Sequence, residues 1–180
     1  MTEPGAGEVT LAAVMFLDMV GYSALMQADE ARALRAVRVL EDILRNTVPA
    51  MGGKLVKFMG DGSMTSFQSA EAAVSCGLEL QERVAAHNAS ASPSERFRVR
   101  IGIHLGEVTE KENDLFGDAV NIAARIQPIA DPGGMALSTA VLAQVVGIIR
   151  LRGTMRRRVR LKNIAERANV FLVAPLRGWY

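Results

Sequence analysis

The chain has 180 residues, 49% hydrophobic and 22% charged, with a formal net charge of +2, the size and balance of one globular domain with a substantial core. An aromatic content of 5% is too thin for the interleaved stacking surfaces that single-stranded nucleic acid favours. The longest apolar runs, about seven residues, fall well short of the roughly 20 that span a bilayer, and a single cysteine excludes a disulfide framework within the chain. The composition reads as a soluble, cytoplasmic domain.

Residues 1–8 are acidic and Gly-rich and read as a flexible N-terminus. The apolar run Leu11–Leu17 predicts a first strand that closes on Asp18. From Asp29 to Met51, Leu34, Val37, Leu40, Leu44 and Val48 recur at helical spacing, with Asp29 as N-cap and Gly52-Gly53 as the stop. Lys54–Met59 and Ser63–Phe67 are two short strands around Gly60-Asp61-Gly62, which has the composition of a hairpin turn. A second helix, Ser69–Asn88, is followed by a polar loop over Ala89–Ser94. Phe97, Val99, Ile101 and Ile103 then alternate with polar residues as an edge or half-buried strand. The order β-α-β-β-α-β is the ferredoxin-like split βαβ arrangement, an α+β fold with an antiparallel sheet and both helices on one face. A further helix from Asp118, with Asp118 as its cap, reaches about Ile129. A strand Gly134–Leu137, a short helix from Ser138 and a C-terminal hairpin complete a domain over residues 9–175, leaving 176–180 as a tail.

Asp18 and Asp61 stand where strands should stay apolar. Desolvating an unpaired carboxylate costs several kcal/mol, so each needs a donor, a counter-charge or a metal, and two placed alike suggest a shared cation. In this topology the first strand lies beside the hairpin, which lets the two approach. A second constellation is Asp114-Leu-Phe-Gly-Asp118-Ala-Val-Asn121-Ile-Ala-Ala-Arg125. Asn121 and Arg125, at i and i+4, share one helical face and offer an amide and a guanidinium fork to one anion. From the residues alone, the alternative of Arg125 paired with a neighbouring acid and Asn121 solvated or capping stays open. Arg150–Arg160 alternates with Leu151 and Val159 and reads as a solvated strand face, with phosphate contact as the alternative. Cys76 reads as a small buried apolar residue. His87 and His104 lack a second histidine or cysteine at zinc-ligand spacing.

These segments, with Phe16-Leu-Asp18-Met-Val-Gly-Tyr-Ser23 and Lys57-Phe-Met-Gly-Asp61-Gly62, closely resemble the class III nucleotidyl cyclase catalytic domain. The resemblance runs from about Val9 to Val173 and includes Leu161-Lys162-Asn-Ile-Ala165. It implies that Asp18 and Asp61 hold two Mg2+ or Mn2+ ions against a nucleoside triphosphate, that Asn121 orients the ribose, and that Arg125 stabilises charge developing on the α-phosphate. It makes Lys57 and Asp114 the purine readers. A lysine donates to the unprotonated N1 of adenine and an aspartate accepts from its amino group, whereas guanine presents the opposite pattern; guanylate-selective relatives carry glutamate and a small polar or cysteine residue there. The implied substrate is ATP, the products cyclic AMP and pyrophosphate. Lys162 matches a triphosphate lysine of some relatives. Glu107 stands where some carry a phosphate-binding arginine, which would shift that task to backbone amides of Val20–Ser23 at a helix N-terminus.

The resemblance further implies a head-to-tail homodimer, in which the metal aspartates of one copy face the purine-reading, Asn and Arg positions of the other. Two rival readings remain at this level. A catalytically silent cyclase-homology domain would bind nucleotide or dimerise as a regulatory module, a reading that Glu107 and the unusual stretch Val108–Asn113 leave open. A guanylate cyclase would prefer GTP, against Lys57 and Asp114.

Overall fold

The computed structural model describes residues 8–163 and 167–175. The first strand, β1 (Glu8–Met19), is longer than its apolar run and leads into a short helix, α1 (Tyr22–Ala28). In α2 (Glu30–Ala50), the Arg32 N–H donates to Asp29 Oδ1 at 2.9 Å, the cap read from the sequence. The stripe Ala33, Ala36, Leu40, Leu44 and Val48 is buried. Leu34, assigned to that stripe by its spacing, lies off it and is 38% exposed. β2 (Lys54–Met59) and β3 (Gly62–Phe67) form a hairpin, and α3 (Ala70–Ser90) follows, capped by Ser69 Oγ accepting from the Ala72 N–H.

β4 (Val99–Lys111) turns into the three-residue β5 (Asp114–Phe116). Glu112 and Asn113, at φ 52° and 62°, make the tight turn between them, the geometry of a type I′ hairpin. Next come α4 (Asp118–Ile126), a 3₁₀ turn (Gln127–Ile129), β6 (Met135–Ser138), α5 (Thr139–Val145), and the hairpin of β7 (Gly153–Arg160) and β8 (Arg167–Val173).

The strands form one sheet in the order β2-β3-β1-β4-β6-β8-β7, with β5 on the far part of β4. Its first four strands have the ferredoxin-like order. Two expectations are corrected. The sheet is not wholly antiparallel, because β4 and β6 run parallel, joined by a crossover that contains α4. Nor is β4 an edge: it pairs with β1 on one side and β6 on the other, and Val99, Ile101 and Ile103 are fully buried.

Alternation along β1 sorts the core into two layers. Ala13, Met15, Leu17 and Met19 face α2 and α3 in the main cluster with Leu40, Leu44, Leu80 and Val84. Ala12 and Val14 face the other way, packing with Met64, Ala119 and Ala123 beneath α4. Helices therefore cover both faces of the sheet, α4 being the one that the expected two-helix layer lacks. Asp18 has the parity of Val14, so it belongs to the α4 face. Among the described residues, no helix is long and apolar enough to cross a membrane. Residues 1–7 of the expected flexible N-terminus, the tail 176–180, and Ile164 and Ala165 of the resemblance lie outside the described residues; Glu8 is the first residue of β1.

Candidate active site

The two carboxylates come together through strand pairing. Asp18 is opposite Gly62 in the β1–β3 ladder, and the Met19 N–H donates to the Asp61 carbonyl at 3.1 Å. The two-residue turn puts Gly60 at φ 63°, a backbone state that glycine adopts without strain, and this presents Asp61 at the hairpin tip beside the end of β1.

Burial raises the proton affinity of both. For Asp18, desolvation outweighs the lowering effects of the Arg100 guanidinium and of a hydrogen bond from Gln127, and the neighbouring Asp61 charge raises it further. For Asp61, desolvation outweighs the backbone amides and Arg100. The Gln127 side-chain amide donates to Asp18 Oδ1 at 2.6 Å, and Arg100 Nε stands 3.6 Å from the same oxygen with no hydrogen bond of its own. Two partly desolvated, mutually repelling carboxylates form a hard-oxygen donor set that suits Mg2+ or Mn2+. Such ions are usually held by one or two carboxylates together with substrate phosphates. The described residues hold no cluster of three or more His, Cys, Asp or Glu side chains, so the remaining ligands would be phosphate, backbone or water oxygens.

Lys57 and Asp114 also meet. Lys57 Nζ donates to Asp114 Oδ2 at 2.5 Å, and the Leu115 N–H donates to Asp114 Oδ1 at 2.8 Å. The lysine bond, then the backbone amide, hold the Asp114 carboxyl below the usual aspartate range. Lys57 is opposite Met64, a residue of the layer beneath α4, so this pair shares the face of Asp18.

Asn121 and Arg125 lie on α4, which packs on the sheet through Ala119 and Ala123. Asn121 is exposed and Arg125 half-buried, and neither makes a side-chain hydrogen bond or ion pair among the described residues. Asp118 is not the cap: Gly117, at φ 127°, is the cap residue without a side-chain bond, and Asp118 sits in the first turn, where its charge favours the helix dipole. Lys162 is exposed beyond β7. Four strand spacings separate β7 from β1, about 19 Å, so Lys162 and the aspartates are not brought together within one chain. Of the amides proposed for phosphate, that of Val20 is taken by the Arg98 carbonyl at 2.8 Å. α1 begins just after it, with no side-chain cap over its first turn.

Other sequence readings resolve simply. Cys76 is fully buried, its thiol pushed up to about 12 by burial and then by Glu79. His87 stacks near Phe97 with 5.5 Å between ring centroids. Arg156, Arg157, Arg158 and Arg160 stand exposed on the outer strand β7. Arg100 and Gln127, the immediate partners of Asp18, were not anticipated. The visible trace of Arg100 is a cation set between Val99 and Ile101 on an otherwise apolar strand; Gln127 gives no local signal.

Comparison with known proteins now fits this geometry. The family model described as the adenylate and guanylate cyclase catalytic domain matches residues 6–173, and the chain belongs to that family, the class III nucleotidyl cyclases. It is 39% identical over 138 residues to "Putative adenylate cyclase 3" of Rhizobium meliloti, covering 76% of this chain and 24% of that protein. Against "Adenylate cyclase" of Streptomyces coelicolor it is 33% identical over 135 residues, covering 74% of this chain and 34% of that one. It thus spans about a quarter to a third of those relatives. The crystal structure of an adenylate/guanylate cyclase/hydrolase from Silicibacter pomeroyi superposes with a TM-score of 0.87 at 32% identity, covering 94% of this chain and 99% of that one.

Proposed function

We propose that the chain is a cytoplasmic adenylate cyclase that converts ATP to 3′,5′-cyclic AMP and pyrophosphate in a head-to-tail homodimer. The observation that carries the choice of ATP is the 2.5 Å Lys57–Asp114 pair. It sets one cationic donor beside one anionic acceptor, complementary to the adjacent N1 acceptor and amino donor of adenine and mismatched to the N1–H and carbonyl of guanine. A site built to hydrogen-bond the base edge disfavours the wrong pattern, because guanine would set its N1–H against the lysine donor and its carbonyl against the carboxylate.

Asp18 and Asp61 would hold two divalent cations. When bound, these neutralise triphosphate charge and acidify the ribose 3′-hydroxyl. Asn121 binds the ribose and aims O3′ at the α-phosphorus. The new O3′–P bond forms as the bond to the bridging oxygen of pyrophosphate breaks, and the hydroxyl proton leaves to solvent. Arg125 donates to the α-phosphate oxygens, where charge builds; removing a donor of this kind costs about 2.7–4 kcal/mol of barrier. The first turn of α1 offers uncapped N–H groups near the carboxylates for phosphate oxygens. Two features support a shared site: Asn121 and Arg125 have no partner among the described residues, and Lys162 sits on the opposite edge of its own sheet.

The test is turnover of ATP and of GTP with Mn2+, with Asp18→Ala as control. Cyclic AMP formation that is lost in Asp18→Ala supports the reading. Preference for GTP refutes the substrate, and nucleotide binding without turnover points instead to a regulatory module.

A further inference from the structure

Gln127 is a polar side chain in an apolar place. It opens the 3₁₀ turn after α4 and is only 5% exposed. Its amide nitrogen donates to Asp18 Oδ1 at 2.6 Å and to the Arg100 carbonyl at 3.2 Å. Both amide protons are thereby used, and this fixes the orientation: a flipped amide would set its oxygen against a carboxylate and a carbonyl. The backbone beneath is equally committed, because a Cβ on Gly102 would stand 2.5 Å from the Gln127 Cα and N. The 3₁₀ turn therefore rests directly on β4.

We propose that Gln127 is the positioning residue of the metal carboxylate. It clamps Asp18 Oδ1 with a neutral donor and leaves Oδ2 as the open acceptor. A lysine in its place would orient Asp18 equally well, but would neutralise it and compete with a divalent cation; a glutamine orients the carboxylate and keeps its charge. Arg100 does carry charge, yet its Nε stands 3.6 Å from Oδ1 and its Nη1 donates to the Pro128 carbonyl at 3.4 Å, which leaves the orienting task to the amide. Gln127 also stands two residues beyond Arg125, so the end of α4 that presents the arginine is fastened to Asp18. In a dimer with shared sites, this would couple the metal half of one site to the phosphate half of the other.

The inference rests on the reading of Asp18 as a metal-holding residue, and the experiment separates the two. Mn2+ binding to the full chain without nucleotide is followed by the electron paramagnetic resonance signal of free Mn2+, for wild type, Asp18→Ala, Gln127→Met and Gln127→Asn. Gln127→Met keeps length and removes the donor; Gln127→Asn keeps a neutral amide but shortens it by one methylene, so that it no longer reaches Asp18, and is the fallback should Gln127→Met not fold. Loss of such an outer partner typically weakens metal affinity 10–100-fold, and that is the shift expected in both glutamine variants. The Mn2+ concentration for half-maximal turnover should rise by a similar factor, with kcat recovering at saturating Mn2+, a split that a general loss of structure would not give. Unchanged Mn2+ affinity in the glutamine variants beside weakened Asp18→Ala overturns the role of Gln127 alone. Unchanged affinity in Asp18→Ala overturns the metal reading and this inference with it.

Discussion

Gly102→Ala tests how tightly the site is built on the sheet. The added Cβ would lie 2.5 Å from the Gln127 backbone Cα and N and 2.6 Å from its Cβ, against ordinary carbon contacts of about 3.5 Å or more. Roughly 1 Å must be found. β4 cannot give it easily, since it is bonded on both sides and its neighbours Ile101 and Ile103 are fully buried. The displacement therefore falls on the 3₁₀ turn and the end of α4, lengthening the 2.6 Å Gln127–Asp18 bond beyond hydrogen-bonding range. Overpacking of this kind costs about 1–3 kcal/mol; at about 2 kcal/mol, a chain of this length loses about 4–8 °C in Tm. A displacement near 1 Å at a reacting site costs about 10²-fold in rate. Calorimetry and ATP turnover read the two effects. A Gly102→Ala protein that melts and turns over like wild type would refute the close approach and everything built on it.

The aspartate pair and the proposed purine readers, Lys57 and Asp114, give further expectations. Because burial raises Asp18 and Asp61 above the ordinary aspartate range, the folded protein keeps protons there that the unfolded chain has released. The unfolded state binds fewer protons, so these groups lower stability as pH rises from about 4 through their raised values, then level off. In metal-free buffer the Tm advantage of Asp18→Asn/Asp61→Asn over wild type should grow with pH and then plateau, while turnover is lost; an advantage that shrinks with pH contradicts the desolvation argument. Lys57→Ala removes an ion pair whose side chains are 42% and 30% exposed, worth less than about 1 kcal/mol of stability, yet should cut kcat/KM for ATP by at least an order of magnitude. Lys57→Glu with Asp114→Cys should turn the preference toward GTP, measured by competition between the two nucleotides.

Much of this was legible locally. The two long helices announce themselves by periodicity and by Asp29 and Ser69, and the Gly60-Asp61 turn follows from composition, so the meeting of Asp18 with Asp61 follows from topology. The central position of β4 was masked by its own chemistry. Its α4-facing residues include Gly102 and Gly106, which read as weak strand positions but are the openings through which the α4 segment approaches: a Cβ on Gly106 would stand 2.8 Å from Ala119 Cβ. β5 is three residues long and carries no period. The start of α4 misled because an aspartate is a good cap, while the chain uses Gly117 and leaves Asp118 in the first turn. The contact of Gln127 with Asp18 joins residues 109 positions apart and leaves no trace in either segment. Lys57 and Asp114 had roles by resemblance, but that they bond each other became visible only through the β2 and β5 neighbourhood.

The decisive experiment for ATP cyclisation in sites shared between two copies is to mix Asp61→Ala with Arg125→Ala. Each variant alone lacks one half of every site, and a mixed dimer contains one intact site. Composite sites require inactive parents and cyclic AMP synthesis on mixing, approaching a quarter of the wild-type rate for statistical exchange. No recovery, with heterodimers verified by differential tagging, would contradict them.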